Sequence, residues 1–158
     1  MEGFIPELSD MQSSQGCTII LMLDQSKISD GFECLMLSMR TGERAIPVAW
    51  KVIETKGGIG FDVQETLLES AFKMLPEGCD VLLAGDRFYG TSALIEWCQR
   101  HGWHYRIRLK SNLKLFHEGG EITTGDAANQ KVTALENAVL ASQGTNTPRI
   151  SSSDFISL

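Results

Sequence analysis

Asp24 and Asp86 are the residues of this chain whose type and setting suit chemistry. Each closes a continuous apolar run, in LMLDQS and in LLAGDRFYG. Apolar runs of this length, bounded by polar residues, read as strands buried on both faces. A carboxylate at the end of such a strand is held at the edge of a core. Two of them on neighbouring strands, about 4.8 Å apart, make an oxygen-donor site for a hard divalent cation. A lone strand-end aspartate is more often a turn residue or the neighbour of a helix cap. The pair is what singles these two out.

The elements that must position the pair are legible from apolar period and turn chemistry. Cys17–Leu23 is a first strand, Ser29-Asp30-Gly31 a hairpin signal and Phe32–Met39 a second strand. Thr41-Gly42 turns the chain again, Ala45–Ile53 is a third strand, and Lys56-Gly57-Gly58 breaks the meander. Asp62, with Glu65 three residues on, reads as a capping box. Leu67, Leu68, Ala71, Phe72 and Leu75 form the buried stripe of that helix, and Pro76 and Gly78 end it. Val81–Ala84 is a fourth strand, parallel to an earlier one because a helix crosses over before it. A second helix starts at Gly90–Thr91, buries Leu94, Trp97 and Cys98, and stops at Gly102.

Residues 103–110 alternate without a break. Trp103, Tyr105, Ile107 and Leu109 share one face; His104, Arg106, Arg108 and Lys110 share the other. That is a half-buried strand with a cationic face. The resulting order, β-β-β-α-β-α-β, gives an α/β (α+β) fold with a mixed sheet and helices packed on it. The expected division is a poorly ordered leader over 1–16, a core over 17–115, and a turn-rich region with an unpacked tail over 116–158. Within the last, 134–141 reads as a short strand or helix.

The chain has 158 residues, enough for one domain with a sizeable core, and its 42% hydrophobic and 22% charged residues are ordinary for a globular protein. No stretch of 18 apolar residues is present and the N-terminus lacks the cations and apolar run of a signal peptide, so no membrane partner and a cytoplasmic location are expected. The four cysteines show no C-x-x-C spacing, and three of them sit among apolar residues, so buried thiols are expected rather than disulfides or metal ligands. Net charge is −6, yet residues 86–114 hold six cations (Arg87, Arg100, Arg106, Arg108, Lys110, Lys114) against two acids. A basic stripe on an acidic body suits a polyanion bound at one face.

With this order of elements, two stretches together resemble the catalytic core of insertion-sequence transposases of the DDE type. They are LMLDQSKISDGFECLMLSMRTGERAIPVAWKVIETKGGIGFD and VLLAGDRFYGTSALIEWCQRHGWHYRIRLKSN, running from Leu21 to Lys114. The nearest group is the cut-and-paste one with a β-rich insertion before the last catalytic residue. The resemblance implies an RNase H-like fold, DNA transposition, and DNA, as transposon ends, for a partner. It matches Asp24 to the first catalytic aspartate and Asp86 to the second. It implies two Mg2+ (or Mn2+) ions in an intact member, with Asp24 between them and Asp86 on one. Two such ions activate the attacking oxygen and stabilise the leaving one.

The family's third acid is a glutamate on a later helix, within a Y-x-x-R-x-x-x-E-type pattern that this sequence does not contain. The family's N-terminal DNA-binding region has no counterpart, and its β-rich insertion is only begun near 112–141. A truncated or frameshifted copy is expected, with its own activity lost. Arg87 either touches a phosphate or balances Asp86. Tyr89 either positions DNA or packs at a strand end. Arg106, Arg108 and Lys110 either contact the DNA backbone or guard an exposed edge strand. His101 and His104 have no matching cysteine pair, so a helix-end histidine is the simpler reading than zinc. Trp50, Trp97 and Trp103 read as core. The alternative function is a non-catalytic remnant that binds DNA or pairs with itself or with full-length transposase. A haloacid-dehalogenase-like phosphatase would need an aspartate where Ser26 stands.

Overall fold

The structure, a computed structural model, describes residues 16, 18–117, 120–129, 138–140 and 149–150. Alternating apolar residues and two tight turns build an antiparallel meander of β1 (Ile19–Ser29), β2 (Phe32–Thr41) and β3 (Arg44–Glu54). Helix α1 (Phe61–Phe72) carries the chain back across the sheet to β4 (Val81–Gly85), and α2 (Ser92–Arg100) carries it to β5 (His104–Ile107). The sheet order is β3-β2-β1-β4-β5, with β4 parallel to β1 and β5 parallel to β4. The fold is mixed α+β.

One face of this sheet makes the core. Ile19, Leu21 and Leu23 of β1, Leu35, Leu37 and Met39 of β2, and Val81 and Leu83 of β4 pack under Leu67, Leu68 and Ala71 of α1 and Leu94, Trp97 and Cys98 of α2. Each large apolar side chain buried this way contributes about 1.5–3 kcal/mol. Cys34 and Cys98 are buried and Cys79 is half-buried, all three as free thiols; burial pushes the Cys98 thiol up to about 12. The opposite face is only partly covered. It holds Met22, Met36, Ala84 and Trp50, aligned in the pairs Met36–Trp50 and Met22–Ala84. Trp50, expected in the core, is 52% exposed there because β3 is the sheet's edge. Trp97 and Trp103 are buried as expected.

Beyond β5 a second antiparallel sheet forms, in the order β7-β6-β8-β9. Its strands are β6 (Lys114–His117), β7 (Gly120–Thr123), β8 (Ala138–Leu140) and β9 (Arg149–Ile150), with the short helix α3 (Thr124–Asn129) after β7. Leu115 and Ala127 bury against Ile95 of α2, making a small second cluster with Leu109, Leu113 and Ile122. The expected leader over 1–16, apart from Gly16, the ends of 134–141 and most of the tail lie outside the described residues. Within that tail, Arg149–Ile150 is paired to β8 rather than unpacked.

Several local expectations are corrected. Strand β1 does not stop at Asp24. Gln25 to Lys27 are polar, but the Asp30-Gly31 turn (Gly31 φ 84°) returns β2 alongside them and extends the ladder. The Asp62–Glu65 capping box does not form. Gly60 is the N-cap, without a side-chain cap bond, so Asp62 falls in the first helical turn and Glu65 instead pairs with Arg100 at 3.5 Å. An acid in that turn still complements the helix dipole. Phe72 is exposed at its rim, with its ring edge on to His101, rather than buried. His101 is not an exposed helix-end residue; its ring stacks on Trp97, and its Nε2 lies 3.1 Å from Glu69 Oε1. Strand β5 is four residues, not eight, because its partner β4 ends at Gly85. The last cross-strand bond runs from Arg108 N to Gly85 O, 3.1 Å. The alternation of inward and outward side chains nevertheless continues to Lys110. No helix among the described residues is long and apolar enough to cross a membrane.

Candidate functional site

The register between β1 and β4 sets the ends of these two parallel strands side by side. Ile19 lies opposite Val81 and the pairing runs in step to Leu23 opposite Gly85. The β4–β5 register runs from Leu82–His104 to Gly85–Ile107. Asp86 and Arg108 are the residues that follow the ends of β4 and β5, at the same end of the sheet as Asp24. On the other side of β1, Asp24 lies opposite Met36, and Met36 opposite Trp50.

Both aspartates are anchored by their neighbours. Gln25 follows Asp24 and ties β1 to the loop before α1. Ile59 N donates to Gln25 Oε1 at 3.1 Å, and Gln25 Nε2 donates to Gly57 O at 3.2 Å. Asp86 begins a tight turn. Phe88 N donates to Asp86 Oδ1 at 2.8 Å, and Tyr89 N donates to Asp86 O at 3.2 Å. Two glycines allow this turn to close on the sheet. A Cβ on Gly85 would meet the Tyr89 ring at 3.2 Å, and one on Gly90 would meet Leu109 Cδ2 at 3.0 Å and Arg108 O at 3.2 Å.

Tyr89 is buried under this turn, which corrects neither of its two expected roles outright. Its ring packs in the main core. Its hydroxyl oxygen is also buried and has no hydrogen-bond partner among the described residues. Burial raises the Tyr89 hydroxyl pKa above its usual range, and the negative charges of Asp24 and then Asp86 raise it further. That hydroxyl thus sits in the field of both carboxylates, with its donor unspent. A buried polar group normally finds a partner, so the orphan marks a place where something polar belongs.

The described cations sort themselves by partner. Arg100 pairs with Glu65 and Lys114 with Glu121, while His104 Nε2 lies 3.2 Å from Asp80 Oδ1. Among the described residues, no ion pair neutralises Arg87, Arg106, Arg108 or Lys110. All four are exposed. Sequence reasoning missed two contributors. Gln25 gave no signal beyond its position after Asp24. Phe88, 64% exposed, has Arg87 and Lys110 over its ring, their charged groups 5.9 and 5.8 Å from its centroid.

Other acids near this region are used locally. Glu121 holds Lys114, and Asp126 accepts from Thr123 Oγ1 at 2.6 Å at the start of α3. Among the described residues, no three or more His, Cys, Asp or Glu side chains gather closely enough to hold a metal ion. The candidate donors at this end of the sheet are all oxygens, two carboxylates and the unbonded Tyr89 hydroxyl. That set fits a hard cation such as Mg2+, which takes few protein ligands and keeps several waters.

No curated protein matches the chain. A family model described as "Transposase DDE domain" matches residues 59–149, more than half of the sequence. The match contains Asp86, its turn and the cationic row, and begins after Asp24. The chain belongs to the transposase DDE domain family.

Proposed function

We propose that this chain is a catalytic-core fragment of a DNA transposase with an RNase H-like fold. In this reading Asp24 and Asp86 are two of the carboxylates for metal-dependent strand cleavage and transfer. Three antiparallel strands followed by two parallel ones, with helices after β3 and β4, support the fold assignment. Residues 17–115 are then the core, and the sheet beyond it begins the β-rich insertion. The observation that carries the function is the parallel β1–β4 register, paired from Ile19–Val81 to Leu23–Gly85, after which the next residues in the two chains are Asp24 and Asp86.

Mg2+ or Mn2+ held by Asp24 and Asp86 would activate the attacking oxygen and stabilise the leaving oxygen. The chain's own residues do the rest. Tyr89 presents a hydroxyl beside the pair. Gln25 and the 86–89 turn fix where the carboxylates stand. Arg87, Arg106, Arg108 and Lys110 bind backbone phosphates. The test is calorimetric titration of the chain with Mn2+. Weak binding that disappears in both Asp24→Asn and Asp86→Asn is expected; equal binding by both variants would overturn the assignment.

The exposed, unneutralised cations favour a second reading, a remnant that binds DNA or pairs with transposase without catalysis. Either way, DNA binding should be weak and should fall steeply with salt. The Arg106→Ala/Arg108→Ala variant is expected to bind more weakly at low salt. Its slope of log K against log salt should drop by about 0.9 per lost phosphate contact. An unchanged slope in a filter-binding series would return these residues to guarding the sheet edge.

A further inference from the structure

Tyr89 carries a hydroxyl that core packing does not need. Its ring packs in the main core, and the residue is 2% exposed. Its backbone is fixed: Tyr89 N donates to Asp86 O at 3.2 Å, and Thr91 N donates to Tyr89 O at 2.7 Å. The ring is fixed as well, so close to Gly85 that a Cβ there would meet Tyr89 Cδ2 at 3.2 Å. The oxygen at the end of this clamped ring is shielded from water and has no hydrogen-bond partner among the described residues. A phenylalanine would fill the core as well. A buried hydroxyl left unbonded costs stability, so a hydroxyl kept here has a partner to meet.

Its neighbours indicate that partner. Burial, then the charge of Asp24, then that of Asp86, push the Tyr89 hydroxyl up. It therefore keeps its proton and acts as a donor, in the field of two carboxylates that accept. Asp86 Oδ1 is already engaged by Phe88 N at 2.8 Å. Among the described residues, no hydrogen bond or ion pair holds the Asp24 carboxylate. An unspent donor and an unheld acceptor thus share this end of the sheet. Carboxylates that ligate a metal are themselves hydrogen-bonded, which fixes the ligating oxygen. Resting on the metal-site reading above, we propose that Tyr89 is the positioning residue for Asp24, its hydroxyl donating to one Asp24 oxygen and leaving the other to the cation. Tyr89 neither ligates nor moves a proton. It sets which way Asp24 faces when the ion binds.

The experiment sets stability without metal against affinity for metal in Tyr89→Phe, with the full chain. In EDTA, Tyr89→Phe should unfold at the same urea concentration as the unsubstituted chain or a higher one, because an unbonded buried hydroxyl is removed. In calorimetric titration with Mn2+, the same variant should bind about tenfold or more weakly, as happens when a ligand loses its supporting hydrogen bond. A residue that only supported the fold would lower both. Labelling with fluorotyrosine reads the contact directly. The chain has 2 tyrosines, and the fluorine resonance missing in Tyr89→Phe should shift as Mg2+ is added. Equal Mn2+ affinity in chain and variant, a resonance that stays still, or earlier unfolding of Tyr89→Phe in EDTA would overturn the proposal. An unsubstituted chain that binds no Mn2+ would overturn the metal reading itself and this role with it, so the behaviour of the unsubstituted chain tells the two failures apart.

Discussion

Strand cleavage of a transposon-end duplex by this chain in magnesium is expected to fall three or more orders of magnitude below that of a three-carboxylate site. In the proposed reading Asp24 and Asp86 supply two ligands, where the two-ion mechanism expects a third acid. An ion lacking a ligand is loosely held, and its share of transition-state stabilisation is several kcal/mol. At about 1.4 kcal/mol per tenfold, that loss amounts to roughly a thousandfold or more. The DNA contacts that align attacking and leaving oxygens contribute separately, through orientation. The assay compares the chain with Asp24→Ala on a labelled duplex. Cleavage by the chain that disappears in Asp24→Ala would show that another acid completes the site, from elsewhere in the chain or from a second copy.

Trp97→Ala is expected to lower stability by about 3–5 kcal/mol, as large-to-small changes at buried aromatics do. That is a large share of the roughly 5–15 kcal/mol a domain holds. Trp97 is 0% exposed. Its indole stacks on His101 with centroids 4.0 Å apart, meets the Trp103 ring edge on at 5.0 Å, and donates from Nε1 to Glu69 Oε1 at 3.0 Å. It therefore joins α2 to α1 by apolar contact and by a hydrogen bond to a charged acceptor. Trp97→Phe keeps most of the burial and loses only the bond, so its cost should be about 1.5–3 kcal/mol. Urea unfolding separates the two. A loss below 1 kcal/mol for Trp97→Ala would mean that the helix pair does not depend on this contact. Since α1 and α2 cover the sheet face that holds β1 and β4 together, loosening them should also loosen the Asp24–Asp86 register. Mn2+ binding is thus expected to weaken in Trp97→Ala although the residue touches neither carboxylate.

Local pattern was enough to read a mixed sheet with helices packed on it, because a strand or helix declares its period within a few residues. It marks Asp24 and Asp86 as candidates, since each follows an apolar run. It was enough to read the two faces of 103–110, whose alternation outlasts the strand itself. What local pattern could not decide depends on residues far apart in sequence. Strand β1 runs on through polar residues to Ser29 because β2 supplies its hydrogen-bond partners. Asp62 lost its capping role to Gly60, a choice made by how the 57–60 loop docks on Gln25. Trp50 is exposed because its strand ends up at the sheet edge, and His101 is covered because Trp97 and Glu69 of two different helices meet there. Arg87, Arg106, Arg108 and Lys110 stand apart from Arg100 and Lys114 only because tertiary packing gave the latter two acidic partners. Most of all, the placing of the β1 and β4 ends side by side rests on a parallel register, with Ile19, Leu21, Leu23, Val81 and Leu83 packed in the core beneath the helices. A strand's own sequence states which side chains share a face; only the docking of one strand on another states which residues become neighbours.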